Sequence, residues 1–140
     1  MANNPQFTNA VAQAIATAFL DALDAGTAAI ITIYSGSQPA QADDALSGTL
    51  LATLTCEATS GTVSDGAPGG LLTFDTITGD TSADDTGTAT HARLLTQAGG
   101  TVICDLSVGT SDADLVFNTV AFTAGSAVDI TALTFTFPEG

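Results

Sequence analysis

The charge of this chain is almost entirely of one sign. Fifteen Asp and Glu residues stand against a single cation, Arg93, and the formal net charge is −14 over 140 residues. Since almost no acid can find a base, stability has to come from apolar burial and backbone pairing rather than from salt bridges. The same charge repels phosphate backbones and anionic lipid, because nucleic-acid-binding proteins use Lys or Arg to displace counterions. We therefore expect no nucleic-acid partner and no membrane partner.

Length and composition predict a single mainly β domain. Apolar residues make up 45% of the chain, which is enough for a core and unlike the composition of disordered acidic proteins. Thr and Gly are abundant beside Ala, Leu, Ile, Val and Phe, a mixture typical of β structure with short turns. No basic segment precedes an N-terminal apolar run, and no run of about 18 apolar residues occurs, so neither a secretory signal nor a transmembrane helix is expected.

The N-terminal segment predicts a helix that ends near Gly26. Apolar residues recur at every fourth position, namely Phe7, Val11, Ile15, Phe19 and Leu23. Two helix starts are possible, one with Asn4 as the cap before Pro5 and one with Thr8 as the cap. The apolar stripe is narrow and flanked by alanines, which allows close packing either on the chain's own sheet or on a neighbouring subunit.

After Gly26 the apolar period shortens from about four residues to two, which predicts strands. The expected strands are residues 28–34, 49–56, 71–77, 88–96, 101–108, 115–122 and 128–137. The segments between the first four, residues 35–48, 57–70 and 78–87, are polar and predict loops. Seven short strands with regular turns indicate an antiparallel β-sandwich. The expected organisation is an N-terminal arm and helix (residues 1–26) followed by a β-sandwich domain (residues 27–140).

Residues 88–96 and 101–108 are predicted to form a hairpin with a three-residue loop at residues 98–100. The register that follows sets Thr96 opposite Val102, Leu94 opposite Cys104 and Ala92 opposite Leu106, with the apolar members on one face. His91 and Arg93 then lie on the outer face, exposed and available to a partner. In the last strand the apolar alternation changes phase near Thr131 and Ala132, which predicts a bulge or a bend between sheets.

No residue pattern predicts catalysis. Cys56 and Cys104 fall on apolar faces and are expected to be buried free thiols, with a disulfide between neighbouring strands as the alternative. His91 has neither a GxSxG motif nor an accessible thiol to act with, so we expect no catalytic residue, no cofactor and no enzyme activity. The paired acids at residues 43–44, 84–85 and 112–114 lack the spaced pattern of a calcium loop. Solvated loops are expected there, and calcium binding stays an open alternative.

Arg93 leaves three interpretations. It can pair with an acid of the same chain, or with an acid of a neighbouring subunit, where it would offset the repulsion between two anionic surfaces. It can also be a surface arginine of little energetic weight.

Two segments resemble a set of small structural proteins of tailed bacteriophages. They are residues 27–56, TAAIITIYSGSQPAQADDALSGTLLATLTC, and residues 88–138, which contain VGTSDADL and SAVDITALTFTFP. The resemblance implies a non-enzymatic virion component and carries over no catalytic or ligand residue.

We accordingly expect a capsid decoration or cement protein, bound in many copies to the outer shell of a virion that assembles in the host cytoplasm. Its partners would be the major capsid protein or other virion proteins, and the chain is expected to be a homo-oligomer. The interface candidates are Phe7, Val11, Ile15, Phe19 and Arg93. The alternatives are a neck or tail accessory protein and a virion-displayed receptor- or glycan-binding module, although the chain has no Trp and a single Tyr.

Overall fold

The computed structural model of this chain describes residues 5–66, 69–130 and 132–138. In these residues one helix, α1 (Asn9–Leu23), is followed by ten strands, which confirms the mainly β fold class with an N-terminal helix. The strands are β1 (Ile30–Tyr34), β2 (Leu50–Thr55), β3 (Gly61–Asp65), β4 (Gly70–Phe74), β5 (Gly87–Thr88), β6 (His91–Leu95), β7 (Val102–Gly109), β8 (Leu115–Val116), β9 (Ala121–Phe122) and β10 (Thr134–Phe137). Within the described ranges, no helix is long and apolar enough to span a bilayer.

The strands form two larger sheets that share one apolar core. The main sheet has the order β2-β1-β6-β7-β8, the helix sheet has the order β10-β4-β3, and β5 pairs with β9 in a small separate ribbon. The pairs are antiparallel except for β7 and β8, which run parallel. Residues of both larger sheets, among them Ile31 and Leu54 of the main sheet and Leu72 of the helix sheet, belong to one buried cluster. The arrangement is therefore sandwich-like.

Period-2 alternation puts one face of the main sheet into the core. On that face Ile31 pairs with Leu54 on one side and with Leu94 on the other. On this face the buried residues of strands β1, β2 and β6 are Ile31, Ile33, Ala52, Leu54, Ala92 and Leu94. Because adjacent side chains point to opposite faces, His91 and Arg93 lie on the outer face, as the sequence predicts.

The predicted hairpin is present between β6 and β7. Two predicted pairs are confirmed, Ala92 with Leu106 and Leu94 with Cys104. The register then shifts between Leu94 and Leu95. Leu95, and not Thr96, consequently lies opposite Val102, so the third predicted pair is wrong. In the turn Gly99 has φ 69°, the left-handed conformation that such turns need and that glycine adopts without strain.

Several strand bounds differ from the prediction because pairing partners, not apolar period, decide them. β3 forms inside the predicted loop 57–70, where it pairs with β4. The predicted strand 88–96 divides between β5, which pairs with β9, and β6 of the main sheet. The predicted strand 115–122 is likewise divided, into β8 and β9.

The two ends of the last predicted strand pair with different parts of the chain. Val128 forms an isolated bridge with Asp80, whereas β10 begins at Thr134 and pairs with β4 in the helix sheet. The change of phase in the sequence accordingly coincides with a change of pairing partner between residues 128 and 134. Thr131 lies outside the described residues.

Helix α1 begins after Thr8, which confirms the second of the two predicted starts. The Thr8 Oγ1 accepts a hydrogen bond of 3.3 Å from the Val11 N–H, so it satisfies a donor that the first turn leaves free. Asn4, the rival cap, lies outside the described residues. At the other end the helix stops at Leu23, and the Asp24 carboxylate accepts hydrogen bonds from the N–H and the hydroxyl of Ser60. This contact ties the end of α1 to the start of β3.

Candidate functional site

The face of α1 that packs on the helix sheet is its alanine face. Ala12, Ala16 and Leu23 are fully buried. A Cβ placed on Gly70 would lie only 2.6 Å from the Ala12 carbonyl oxygen, so the helix backbone lies directly against β4. The small side chains permit this close approach, and it turns the larger apolar residues of the helix outward.

The predicted apolar stripe therefore lies mostly at the surface. Phe7, Val11 and Ile15 are 45%, 44% and 42% exposed, and we call these three residues the helix stripe. Phe19 continues the row but is half-buried, because its ring packs against those of Phe135 and Phe137 at centroid distances of 5.5 and 5.4 Å. Val11 and Ile15 of α1, and Phe7 just before its Thr8 cap, are available to a partner, whereas Phe19 anchors the helix to β10.

The helix stripe lies in a segment without charged side chains. Residues 5–20 contain no ionisable side chain, and the first acid of the chain is Asp21. The other fourteen acids follow it. A row of exposed apolar side chains on an otherwise anionic protein is a candidate for a protein–protein contact.

Arg93 is buried, so the expectation that it is available to a partner is wrong. Its Nε and Nη2 donate to the two carboxylate oxygens of Asp105 at 2.6 and 2.9 Å, and Nη2 also donates to the Asp44 carbonyl at 3.0 Å. These hydrogen bonds to Asp105 raise the pKa of the guanidinium. Of the three interpretations, the pair within the chain is the one the structure contains.

Arg93 is buried because the loop of residues 35–48, which joins β1 to β2, lies across the outer face of the main sheet. We call this loop the strap. It is held by the Arg93 bond to Asp44, by a 2.6 Å hydrogen bond from the Thr90 hydroxyl to the Gly36 carbonyl, and by pairing of Ser35 with Thr49 at its ends. The sequence predicts this segment as a polar loop, and that part is confirmed.

His91 lies beneath the strap and is fully buried, which corrects the expectation of an exposed strand residue. Its ring stacks on Tyr34 at a centroid distance of 5.6 Å and an interplanar angle of 17°. The Nδ1 atom lies 3.0 Å from Thr90 Oγ1, whereas the buried Nε2 atom has no hydrogen-bond partner. Burial lowers the pKa of the imidazole; Asp105 opposes this effect and Arg93 reinforces it.

Both cysteines are free thiols, and the alternative of a disulfide is wrong. Cys56 is buried and Cys104 is half-buried in β7. Burial raises the pKa of each thiol to about 11, so neither is a nucleophile at neutral pH.

The acidic loops have structural partners. Asp114 accepts hydrogen bonds from the N–H and the hydroxyl of Ser107 at 2.8 and 2.9 Å, and Asp112 adopts a φ of 49° in the same turn. Across the described parts of the chain, no three His, Cys, Asp or Glu side chains are placed to hold a metal ion together.

A cavity of about 400 Å³ opens beside β9. Phe117 and Phe122 meet edge to face on one side of it, with ring centroids 5.5 Å apart. Its polar lining comes from Asn118, Thr119, Thr123, Ser126 and Asp129. The sequence analysis did not single out these residues as a site, although they all lie within residues 117–129.

Comparison of the chain with protein-family models, with curated proteins and with solved structures finds no match.

The burial of Arg93 had a signal in the sequence. The predicted pairs of Ala92 with Leu106 and of Leu94 with Cys104 already set Arg93 opposite Asp105, as the structure has them. Opposite charges at facing positions of two antiparallel strands attract each other. The covering strap had no comparable signal, because a polar loop leaves no apolar pattern that shows where it lies.

Proposed function

We propose that this chain is a non-enzymatic structural protein of a bacteriophage virion, a capsid decoration protein that attaches to the outer shell in many copies. The observation that carries the proposal is the helix stripe, an exposed apolar row free of charge on a molecule of net charge −14. The resemblance of residues 27–56 and 88–138 to small structural proteins of tailed phages supports the same function. The major capsid protein is then the first partner to test, and other virion proteins or further copies of this chain follow.

The size of the stripe favours attachment in many copies. A helix of 15 residues is about 22 Å long, and one face about 10 Å wide presents only about 220 Å². A stable interface buries about 800 Å² per partner. A single contact through α1 is therefore weak, and retention on a shell depends on several simultaneous contacts of each copy, or between copies.

The charge favours the outer surface of the shell. A dense coat of carboxylates is repelled by packaged DNA at short range and keeps the exposed side soluble. Residues 5–20 carry no charged side chain, so the helix stripe can approach another anionic protein with less repulsion than the acidic loops can.

The test is binding of the purified chain to shells assembled from the major capsid protein of the same phage. Co-sedimentation should retain the wild-type chain and should lose the double variant Val11→Ser/Ile15→Ser. A matched control is available in Leu50→Ser/Val116→Ser, which changes two exposed apolar residues away from the helix, at 36% and 49% exposure. The control variant should bind like the wild type.

Cryo-electron microscopy of the virions decides the location. Density for the chain on the shell supports decoration, whereas density at the neck or tail supports the accessory role. Absence of the chain from purified virions, established by mass spectrometry, would overturn the structural proposal altogether.

The cavity beside β9 favours one second candidate, a virion-displayed module that binds a neutral glycan. Hydroxyl and amide groups beside two phenyl rings suit a sugar, and no cation lines the cavity to attract an acidic ligand. Screening of neutral oligosaccharides by NMR tests this candidate. Binding that is lost in Asn118→Ala but kept in Val11→Ser/Ile15→Ser would support it, and the absence of any perturbed cavity resonance would rule it out for the sugars tested.

A further inference from the structure

The hydrogen bonds of Thr90 determine which tautomer His91 adopts. The Thr90 hydroxyl has one hydrogen and lies 2.6 Å from the Gly36 carbonyl oxygen, which can only accept. The second carbonyl near it, that of Tyr34 at 3.4 Å, can also only accept. The hydroxyl hydrogen is therefore committed to a carbonyl, and His91 Nδ1, 3.0 Å away, must donate to Thr90 Oγ1. The other ring nitrogen, Nε2, is left with an unshared lone pair.

That lone pair lies in a closed space. His91 is fully buried, and Nε2 has no partner. The ring carbon between the two nitrogens faces Gly48 of the strap, where a Cβ would lie 3.6 Å from it. The same Cβ would collide with the Ser35 carbonyl oxygen, so the strap passes over His91 with no room for a side chain.

The charged and titratable groups around His91 come from every neighbouring element. Tyr34 of β1 stacks on the ring, Arg93 is on the same strand, and Asp105 lies on β7. Asp44 of the strap binds Arg93 through its carbonyl, and Asp114 binds Ser107, the residue opposite His91 in the ladder. Asp105 attracts a proton on the imidazole, but both of its oxygens already accept from Arg93.

We propose that the strap is a pH-sensitive cover, which protonation of His91 at Nε2 releases from the outer face of the main sheet. A proton on Nε2 creates a buried N–H without an acceptor and a second positive charge beside Arg93. Opening of the strap admits water to Nε2 and removes that cost. Opening also uncovers Arg93, so acid exposes the one Lys or Arg side chain that the chain possesses.

Proton linkage gives the direction in which pH changes the stability of the closed strap. The closed state disfavours the imidazolium, so the pKa of His91 is lower when the strap is closed than when it is open. The cover is therefore fully stable above the ordinary imidazole pKa of about 6.5 and weakens as the pH falls below that value. One proton limits the rise in the open-to-closed ratio between pH 7.5 and pH 5.0 to about 30-fold.

Two measurements on the intact wild-type chain test the proposal. Nitrogen NMR of the imidazole at pH 7.5 should find the hydrogen on Nδ1. Amide hydrogen exchange, corrected for the intrinsic effect of pH, should show that the Ser35 amide loses up to about 30-fold of its protection at pH 5.0. This amide donates to the Thr49 carbonyl, where the strap joins the sheet.

The matched variant is His91→Asn, which keeps a donor toward Thr90 and does not titrate. Its strap should keep the same protection at both pH values, and equal loss in variant and wild type would assign the opening to carboxylates and overturn the proposal. A hydrogen found on Nε2, or unchanged wild-type protection at pH 5.0, would also overturn it. If the variant does not fold, the wild type alone provides the test. Loss of strap protection and protonation of the His91 imidazole should have the same pH midpoint, and midpoints more than one pH unit apart would contradict the proposal.

Discussion

At the scale of single residues, the side chains of Arg93 and Asp105 are 8% and 4% exposed and meet through two hydrogen bonds. Burying two charges is costly, and their attraction repays that cost only when the geometry is good and the other polar atoms are satisfied. The third bond of Arg93, to the Asp44 carbonyl, meets part of this requirement and holds the strap. The pair thus holds the strap in one position on the outer face, and it adds little to the net stability of the fold.

Replacing one member of this pair should cost far more than replacing both. Arg93→Met leaves Asp105 buried without a partner, and we expect it to lower the free energy of unfolding by about 3–5 kcal/mol. Arg93→Met with Asp105→Leu removes both charges and should recover most of that loss. Urea unfolding at pH 7.5 measures both variants. Equal losses in the single and double variants would contradict the interpretation, because they would mean that no buried charge is left unpaired.

The raised pKa of the thiols predicts slow alkylation. With a pKa of about 11, Cys56 and Cys104 are about 0.1% thiolate at pH 8, whereas an unperturbed thiol is about a quarter thiolate. Iodoacetamide should therefore label both cysteines at least about 100-fold more slowly in the folded chain than in 8 M urea. Mass spectrometry of the two peptides measures the rates. Rapid labelling of Cys104 in the folded chain would show that β7 is more open than the structure has it.

At the scale of elements, helix α1 buries some of its apolar residues against the helix sheet and leaves others exposed. The alanines allow the backbone to lie on β4, and Phe19 packs between two phenylalanines of β10. The helix stripe contributes little to either contact. A helix that only needed to cover its own sheet would bury its large apolar residues first, because they gain most from leaving water.

Substitutions along one row of the helix should therefore separate folding from binding. Phe19→Ala removes the ring contacts with β10 and should lower the free energy of unfolding by about 2–3 kcal/mol. Ile15→Ala, one turn earlier, should cost less than about 1 kcal/mol, since the side chain is 42% exposed and alanine favours the helix. Urea unfolding compares the two. A loss of 2 kcal/mol or more in Ile15→Ala would mean that the helix stripe serves the fold and not a partner.

At the scale of the whole molecule, the charge imbalance acts on the fold as well as on partners. Fifteen acids share a chain of 140 residues, and Arg93 is occupied by Asp105. The remaining acids repel one another, and this repulsion weakens when the chain unfolds and the charges separate. The apolar core formed by both sheets has to overcome it.

Salt should therefore stabilise this protein. Raising NaCl from 0.01 to 0.1 M shortens the screening length from about 30 to about 10 Å, and it weakens many repulsions but few attractions. We expect a gain on the order of 1 kcal/mol, or about 4 °C in the melting temperature. Calorimetry at pH 7.5 measures it, with glycerol of equal osmolality as the control. A melting temperature that is unchanged, or that falls with salt, would show that the acids do not destabilise the fold.

Local patterns predict the elements that depend on one segment alone. The i+4 apolar spacing predicts α1, and the alternation after Gly26 predicts β1 and β2 within two residues at each end. The two apolar pairs of the hairpin follow from keeping Ala92 and Leu94 on one face. The site is less predictable. The apolar spacing identifies the candidate interface residues. Which of them are exposed depends on the close packing of the helix on Gly70 and on the contact of Phe19 with the rings of β10.

The sequence by itself determined the mainly β class, the N-terminal helix and the fact that Arg93 is the only Lys or Arg of the chain, because period and composition are properties of the chain. Tertiary structure alone decided that the alanine face packs inward, that β3 pairs with β4, and that the strap covers His91 and Arg93. Those outcomes depend on contacts between distant segments, whose energies do not appear in any local pattern. The lone cation is the clearest case: its uniqueness is a fact of composition, but its burial required residues 44 and 105 to meet it from two other elements.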